Sequence, residues 1–416
     1  MPLCLFSKPL CRCAVSPMHY GVAAIVFSAY NEVMFSARLK NLHPYVPGEQ
    51  PDDADYIKLN ANENPYPPCP AVIDAITSLA GCSPEALARY PDPDATALRT
   101  EIALFLNRTG GALAQCTVQN GQCIPGAGHE LPVPITPDMV YCGNGSDEVL
   151  SFLFYACFDA GHPLVTPQIS YSFYPVYAGF YGVPLNTVPL TEDGTPDADA
   201  LVQHANAADA PVLFANPNAP TGGALSRAAI RAMLLRTNRE RVFVVDEAYA
   251  DFAAESVLPL VAEFENLVVV RTFSKSMCGA GMRLGYMIAQ PRVVAAITTV
   301  KNSVNHFPVD ALTQAAGIAA CRSDGYYADC AHKIVALRGR FAAFLNAHGW
   351  SVLPSHANFV FAKKDGMRGA DVYRALKVSG ILVRHFAVDG IEDYVRITIG
   401  TDEQMAAVEQ AIARMD

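Results

Sequence analysis

Charge is scarce in this chain. Asp, Glu, Lys and Arg make up 17% of the 416 residues, against 51% hydrophobic residues. That balance excludes a self-repelling disordered chain and leaves apolar material for one large domain or two ordinary ones. Long apolar runs are missing: the best candidate, residues 21–28, falls far short of the roughly 18–20 residues that cross a bilayer as a helix. Basic runs are missing as well, and the net charge is −10, which argues against a nucleic acid or an anionic membrane surface as partner. Twelve cysteines contain no CxxC pair. Cys11 and Cys13 form a CxC without a partner cluster, and Cys116 and Cys123 fall in what reads as a loop. Without paired ligands no zinc or other metal site is expected, and the cysteines read as reduced, small core residues. Internal repeats and long low-complexity tracts are absent.

What is present is an alternation. From about residue 139 to 300, short β-branched runs alternate with helical patterns. Strands are expected at 139–142, 163–166, 184–188, 212–215, 242–245, 267–271 and 285–289, with a helix at 146–158. Alternation of this kind predicts an α/β fold with a mostly parallel sheet covered on both faces, whose ligands sit beyond the carboxyl ends of the strands. The last third changes character. A helix covers 341–348, strands follow at 359–362 and 395–399, and Thr401 opens a T-D-E-Q capping box. Met405, Val408, Ile412 and Met415 then share one helical face. This predicts a smaller α+β domain with its own core. Residues 107–137, rich in Gly, Pro and polar residues, read as a surface insertion. Residues 1–36 hold one acid, Glu32, and an apolar stretch at 20–30. They are open to three readings: a targeting peptide, a segment ahead of a later start at Met18 or Met34, or a short ordered arm.

Four segments carry chemistry, at the ends of successive expected strands. Lys275 stands in RTFSKSMCGAGMR, after the 267–271 run. Asp246 stands in VVDEAYADF, directly after four apolar strand residues, with Tyr249 three residues on. GNGSDE at 143–148 joins a strand to a helix start, whose free N–H groups suit an anion. Ser274 and Arg283 flank the lysine and can complete that cradle, and Tyr171 in PQISYSFY offers an aromatic face. Taken singly, these residues are as readily a surface lysine, a cap, a turn and a core aromatic. Together they meet the demands of pyridoxal 5'-phosphate: a lysine for its aldehyde, an acid for its ring nitrogen, a platform for its ring and an anion cradle for its phosphate.

In this order the segments resemble the fold-type-I aminotransferases, and within them the histidinol-phosphate aminotransferases. NLHPYVPG (41–48), LNANENPYPP (59–68), ARYPDP (88–93), NPNAPTG (216–222) and VRITIGT (395–401) carry the resemblance further, over about residues 37–416. It implies a mostly parallel seven-stranded sheet sandwiched by helices, with a smaller α+β domain. It implies an N-terminal arm and part of the small domain at 37–75, a large cofactor-binding domain at 76–305 and the rest of the small domain at 306–416. Lys275 is then expected to hold the cofactor and shuttle the proton. Asp246 is expected to pair the pyridine nitrogen, Tyr249 the ring hydroxyl, and Tyr171 to stack on the ring. Ser146, Asp147, Ser274 and Arg283 are expected around the cofactor phosphate, joined by Tyr90 from a partner subunit. Tyr45, also from the partner, Arg384 and Arg396 are expected at the substrate's phosphate end. The resemblance thus implies a cytoplasmic homodimer with shared sites, acting on histidinol phosphate with 2-oxoglutarate and glutamate. One position departs from the pattern: the asparagine expected before PTG is Ala219, which leaves Asn218, from a shifted backbone, or Tyr249 with water to serve the ring hydroxyl.

Other functions share part of this set. An aromatic amino acid aminotransferase, or a decarboxylase of an amino-acid phosphate using the same cofactor, fits the same scaffold. A ligand-sensing regulator would need a DNA-binding module, and residues 1–36 are too short and too apolar for one. A nicotinamide oxidoreductase lacks its third glycine in G-x-G-x-x-G.

Overall fold

The computed structural model describes residues 36, 38–39, 42–45, 48–50 and 56–415, apart from 83, 115, 120–121 and 126–130. The readings of the leading segment lie outside these residues, save for Ser36. Contacts divide the chain into residues 1–43 and residues 44–416. In the first unit, Leu39 N–H donates to Ser36 O (3.1 Å) and Leu42 N–H to Leu39 O (3.3 Å). Everything below concerns the second.

A short strand β1 (Ile57–Lys58) and a hairpin of β2 (Cys116–Gln119) and β3 (Gln122–Pro125) precede the central sheet. Seven strands build that sheet: β4 (Val140–Asn144), β5 (Leu164–Pro167), β6 (Leu185–Val188), β7 (Val212–Ala215), β8 (Phe243–Asp246), β9 (Leu267–Thr272) and β10 (Leu284–Ile288). Their spatial order is β4-β10-β9-β8-β7-β5-β6, and β10 alone runs antiparallel to its neighbours. All six residues of β9 are buried, as a near-continuous apolar run in a two-sided parallel sheet must be.

Side-chain alternation divides the core. Leu213, Val244, Val268 and Val270 pack on one face with the helices Gly145–Cys157, Tyr174–Tyr181 and Pro291–Val304. Phe214, Phe243, Val245, Leu267 and Val269 face the other way, toward the helices Thr96–Thr109, Ala198–Ala208 and Arg227–Arg236. Each such side chain, fully buried, contributes about 1.5–3 kcal/mol.

The C-terminal third forms a separate antiparallel sheet from β11 (Trp350–Val352), β12 (Phe359–Lys364), β14 (Arg384–His385) and β15 (Val395–Thr398), in the order β11-β12-β15-β14. A further strand, β13 (Ile381–Leu382), pairs in parallel with β1. The capping box is present in both halves: Gln404 N–H donates to Thr401 Oγ1 (3.3 Å) and Thr401 N–H to Gln404 Oε1 (2.9 Å). Met405, Val408 and Ile412 of that helix are buried.

The 107–137 segment differs from the surface insertion expected of it. Residues 107–109 end a helix, and Ala112, Leu113, Ala114 and Ile135 are buried. Cys116 and Cys123 stand on paired strands, not in a loop. The physical reason lies far away in sequence: Leu113 N–H donates to Asp251 Oδ1 (3.2 Å), and the guanidinium of Arg271 donates to Gly111 O. Among the described residues no helix is long and apolar enough to cross a membrane, and the described cysteines with placed side chains are free thiols.

Candidate active site

The carboxyl ends of β4, β5, β7, β8 and β9 point the same way, and the chemistry-bearing residues gather there. Lys275 follows β9 by three residues. Its carbonyl accepts from Asn64 Nδ2 (2.9 Å), and the hydroxyl of the next residue, Ser276, donates to Asp251. The lysine Nζ donates to Ala61 O at 3.1 Å and lies 5.8 Å from the centre of the Tyr249 ring.

Asp246 ends β8, 4% exposed. It accepts from the Tyr174 hydroxyl (2.8 Å) and from Ala248 N–H (3.1 Å). Burial outweighs these bonds and raises its carboxyl to about 6, with Asp147 and Glu247 pushing the same way. The neighbouring Glu247 is neutralised by Arg271 at 2.7 Å, which also meets Asp251 at 3.2 Å. This buried network joins the segment after β8 to the start of the lysine turn.

The GNGSDE segment makes a close junction. Gly145 has φ +78°, and a Cβ there would lie 2.6 Å from Arg283 Nη2. A Cβ on Gly285 would lie 2.2 Å from the backbone nitrogen of Ser146. The helix starting at Gly145 receives no side-chain cap from Asn144, so its first N–H groups keep their capacity for an anion. Asp147 accepts from Arg283 Nη2 (3.1 Å) and from the Tyr171 hydroxyl (2.9 Å). Ser274, 8% exposed, completes the neighbourhood on the lysine turn.

Tyr45, Tyr171, Tyr249, Lys275, Arg384 and Arg396 line one cavity of about 250 Å³. Arg384 and Arg396 are direct partners across the β14–β15 pair. Like charges in register oppose each other, so this pair has a reason other than stability. The Nε of Arg396 is buried without a hydrogen-bond partner among the described residues. Burial and the Arg384 charge both lower the guanidinium's pKa. The cavity thus holds a primary amine at one side and two guanidiniums at another, an arrangement suited to an amine that carries a phosphate or carboxylate.

Two residues sit otherwise than expected, and a third, Tyr90, lies away from the cavity of its own chain. Asn218 is fully buried, but its amide donates to Ile169 O (3.0 Å) and Thr221 Oγ1 (2.9 Å) and accepts from Ser170 (2.9 Å). It ties the loop to itself and does not line the cavity, while Ala219 and Pro220 do. Tyr45, expected from a partner, reaches the cavity of its own chain, its ring 4.9 Å from that of Phe173. Tyr90 is 81% exposed and stacks on Phe307 (4.5 Å, 11°), away from the cavity lining.

The motif LNANENPYPP holds three residues to which no role was attached. Asn60, Asn62 and Asn64 stand at every second position. Asn60 holds Glu49 O (2.8 Å), Asn62 holds Tyr249 and Asn64 holds the lysine backbone. Three asparagines in five residues of a chain otherwise poor in polar groups is the signal that could have found them.

With the geometry in view, comparison with known proteins gives one answer. Residues 54–412 match the aminotransferase class I and II family. A histidinol-phosphate aminotransferase from Syntrophus aciditrophicus is 43% identical over 93% of this chain and 99% of its own length. Histidinol-phosphate aminotransferase 1 of Bradyrhizobium diazoefficiens is 43% identical over 92% and 99%. Among solved structures, the histidinol-phosphate aminotransferase of Sinorhizobium meliloti in complex with pyridoxal-5'-phosphate superposes with a TM-score of 0.77 at 25% identity, covering 94% of this chain and all of its own. A site that pairs an amine with two in-register guanidiniums, on this fold and with these relatives, identifies the chain as a fold-type-I aminotransferase that belongs to the histidinol-phosphate aminotransferase family.

Proposed function

We propose that this chain exchanges an amino group between L-histidinol phosphate and 2-oxoglutarate in histidine biosynthesis, using pyridoxal 5'-phosphate held at Lys275. The observation that carries the proposal is the Arg384–Arg396 pair, with the buried Nε of Arg396 unpartnered among the described residues, in one cavity with the Lys275 amine.

The residues fit the cofactor. The close junction of Gly145, Gly285 and Arg283 leaves a helix start open to a phosphate, and Asp246 ends its strand as a buried acid. When bound, the cofactor supplies an electron sink for the substrate carbon that loses its proton. The chain's residues do the rest. Asp246 pairs the pyridine nitrogen and keeps it protonated. Tyr249 meets the ring hydroxyl and Tyr171 the ring face. Ser146, Asp147, Ser274 and Arg283 surround the phosphate. The Lys275 Nζ accepts the proton from the substrate's α carbon and returns it on the other side of the exchange. Arg384, Arg396 and Tyr45 hold the substrate's phosphate, two guanidiniums matching a dianion better than a single carboxylate. In the same reading residues 76–305 are the cofactor-binding domain. The pairing of β1 with β13 supports grouping 37–75 with 306–416. The protein acts as a cytoplasmic homodimer in which the exposed Tyr90 reaches the partner's cofactor phosphate.

The test uses the cofactor-loaded protein with histidinol phosphate and with phenylalanine. Arg384→Ala is expected to lower kcat/KM for histidinol phosphate by about 10- to 150-fold, the loss of one charge-assisted hydrogen bond, and that for phenylalanine far less. Equal losses on both substrates, or release of carbon dioxide from phenylalanine in place of its keto acid, would overturn the proposal.

A further inference from the structure

We infer that Asn62 is a positioning residue that turns Tyr249 into a hydrogen-bond donor facing the cavity, an inference that rests on the proposed cofactor. Asn62 is 1% exposed and adopts φ +55°, a left-handed conformation that asparagine tolerates better than most residues. Its surroundings set the sense of each hydrogen bond. The backbone N–H of Asn62 donates to Thr398 Oγ1 at 3.0 Å, so the threonine hydroxyl is an acceptor there. Its single proton goes to Asn62 Oδ1 at 3.1 Å. The amide oxygen therefore faces Thr398, and the amide nitrogen, which can only donate, faces the Tyr249 oxygen at 2.8 Å. Having accepted from Asn62, the phenol directs its own proton elsewhere. Tyr249 lines the cavity beside Lys275.

Two further observations give this relay a function. The wall where the family pattern places an asparagine carries Ala219, whose methyl donates nothing, and the Asn218 amide is committed to Ile169 and Thr221. Tyr249 is left to supply the donor to the cofactor's ring hydroxyl. Asn62 is also held by Asn358 Nδ2 on its carbonyl (3.0 Å), which limits its play. Thr398 lies on β15 two residues from Arg396, so one strand carries both the anion grip and the far end of the relay.

A donor on the ring oxygen withdraws charge from it and makes the neighbouring lysine-derived nitrogen less basic. The experiment is a pH titration of the bound cofactor's visible absorbance. Tyr249→Phe is expected to raise the apparent pKa by about one to two units, the worth of one hydrogen bond to a charged group. Asn62→Ala should raise it by about one unit, and the double variant should equal Tyr249→Phe alone. Asn62→Asp keeps the volume but captures the phenol's proton, so it should match Tyr249→Phe. Circular dichroism of each variant separates these shifts from misfolding. An unchanged pKa in folded Asn62→Asp, or additive shifts in the double variant, would overturn the inference while leaving the proposed function standing. A wild-type protein with no visible band that Lys275→Ala removes would overturn the proposed function, and this inference with it.

Discussion

Asp246 shows how one side chain serves a buried site. Its carboxyl is raised to about 6 because burial disfavours its charge. Relative to the unfolded chain the cofactor-free fold favours the neutral acid, so its contribution to stability is greatest at low pH and declines as pH rises from the usual carboxylate range toward 6. A pyridinium partner reverses the preference. Binding below about pH 6 must expel the proton from Asp246, so affinity should fall about tenfold per unit as pH falls through 6, and this contribution should be level above it. Comparing the affinity of 4-deoxypyridoxine phosphate, which has no aldehyde to engage Lys275, in the wild-type and Asp246→Asn proteins cancels the slope from the ligand's own phosphate, whose second pKa is about 6. Asp246→Asn should show the shallower slope, and an identical slope in both proteins would remove Asp246 from the role. Asp246 was legible in the sequence because it ends an apolar strand, and Lys275 because it follows one by three residues, between Ser274 and Arg283. Asn62 was not, because its partners Tyr249 and Thr398 lie 187 and 336 residues away. The direction of the Asn218 amide, which donates within its own loop, was not legible either, because composition does not say which way an amide faces in a tight loop.

The elements follow from local pattern more closely than their arrangement does. Apolar runs of four to six residues with β-branched character mark β7, β8 and β9, and the T-D-E-Q box marks the last helix start. Nothing in the β10 run announces that it alone is antiparallel; that follows from the short connection out of β9 through the lysine turn. The contact of β10 with the start of the helix at Gly145 is where this matters. Gly285→Ala would drive a methyl into the Gly145–Ser146 backbone. It is expected to cost about 1–3 kcal/mol in denaturant unfolding and to weaken cofactor binding, because the displaced backbone carries the N–H groups of the anion cradle. Unchanged cofactor affinity in the folded variant would separate this junction from the phosphate.

At the scale of the whole molecule, the exposed Tyr90 ring makes a prediction about assembly. Hybrid dimers of Lys275→Ala and Tyr90→Ala subunits, isolated by two different tags, contain one site with both residues intact if Tyr90 acts across the interface. Activity should recover to about half that of the wild-type dimer. Hybrids no more active than the parent variants would place Tyr90 outside the partner's site.

By itself, the sequence determined the class of fold, the order of its strands and helices along the chain, and the types of group available for chemistry. These depend on periodicity, caps and strand ends, which are properties of neighbours. The tertiary structure decided which strand runs backwards, that Arg384 and Arg396 stand opposite each other, that residues 110–114 lie beneath the surface, and that Asn62 lines the cavity while Asn218 does not. Each of these depends on contacts between residues tens to hundreds of positions apart, where burial and hydrogen-bond direction, not local propensity, set the geometry.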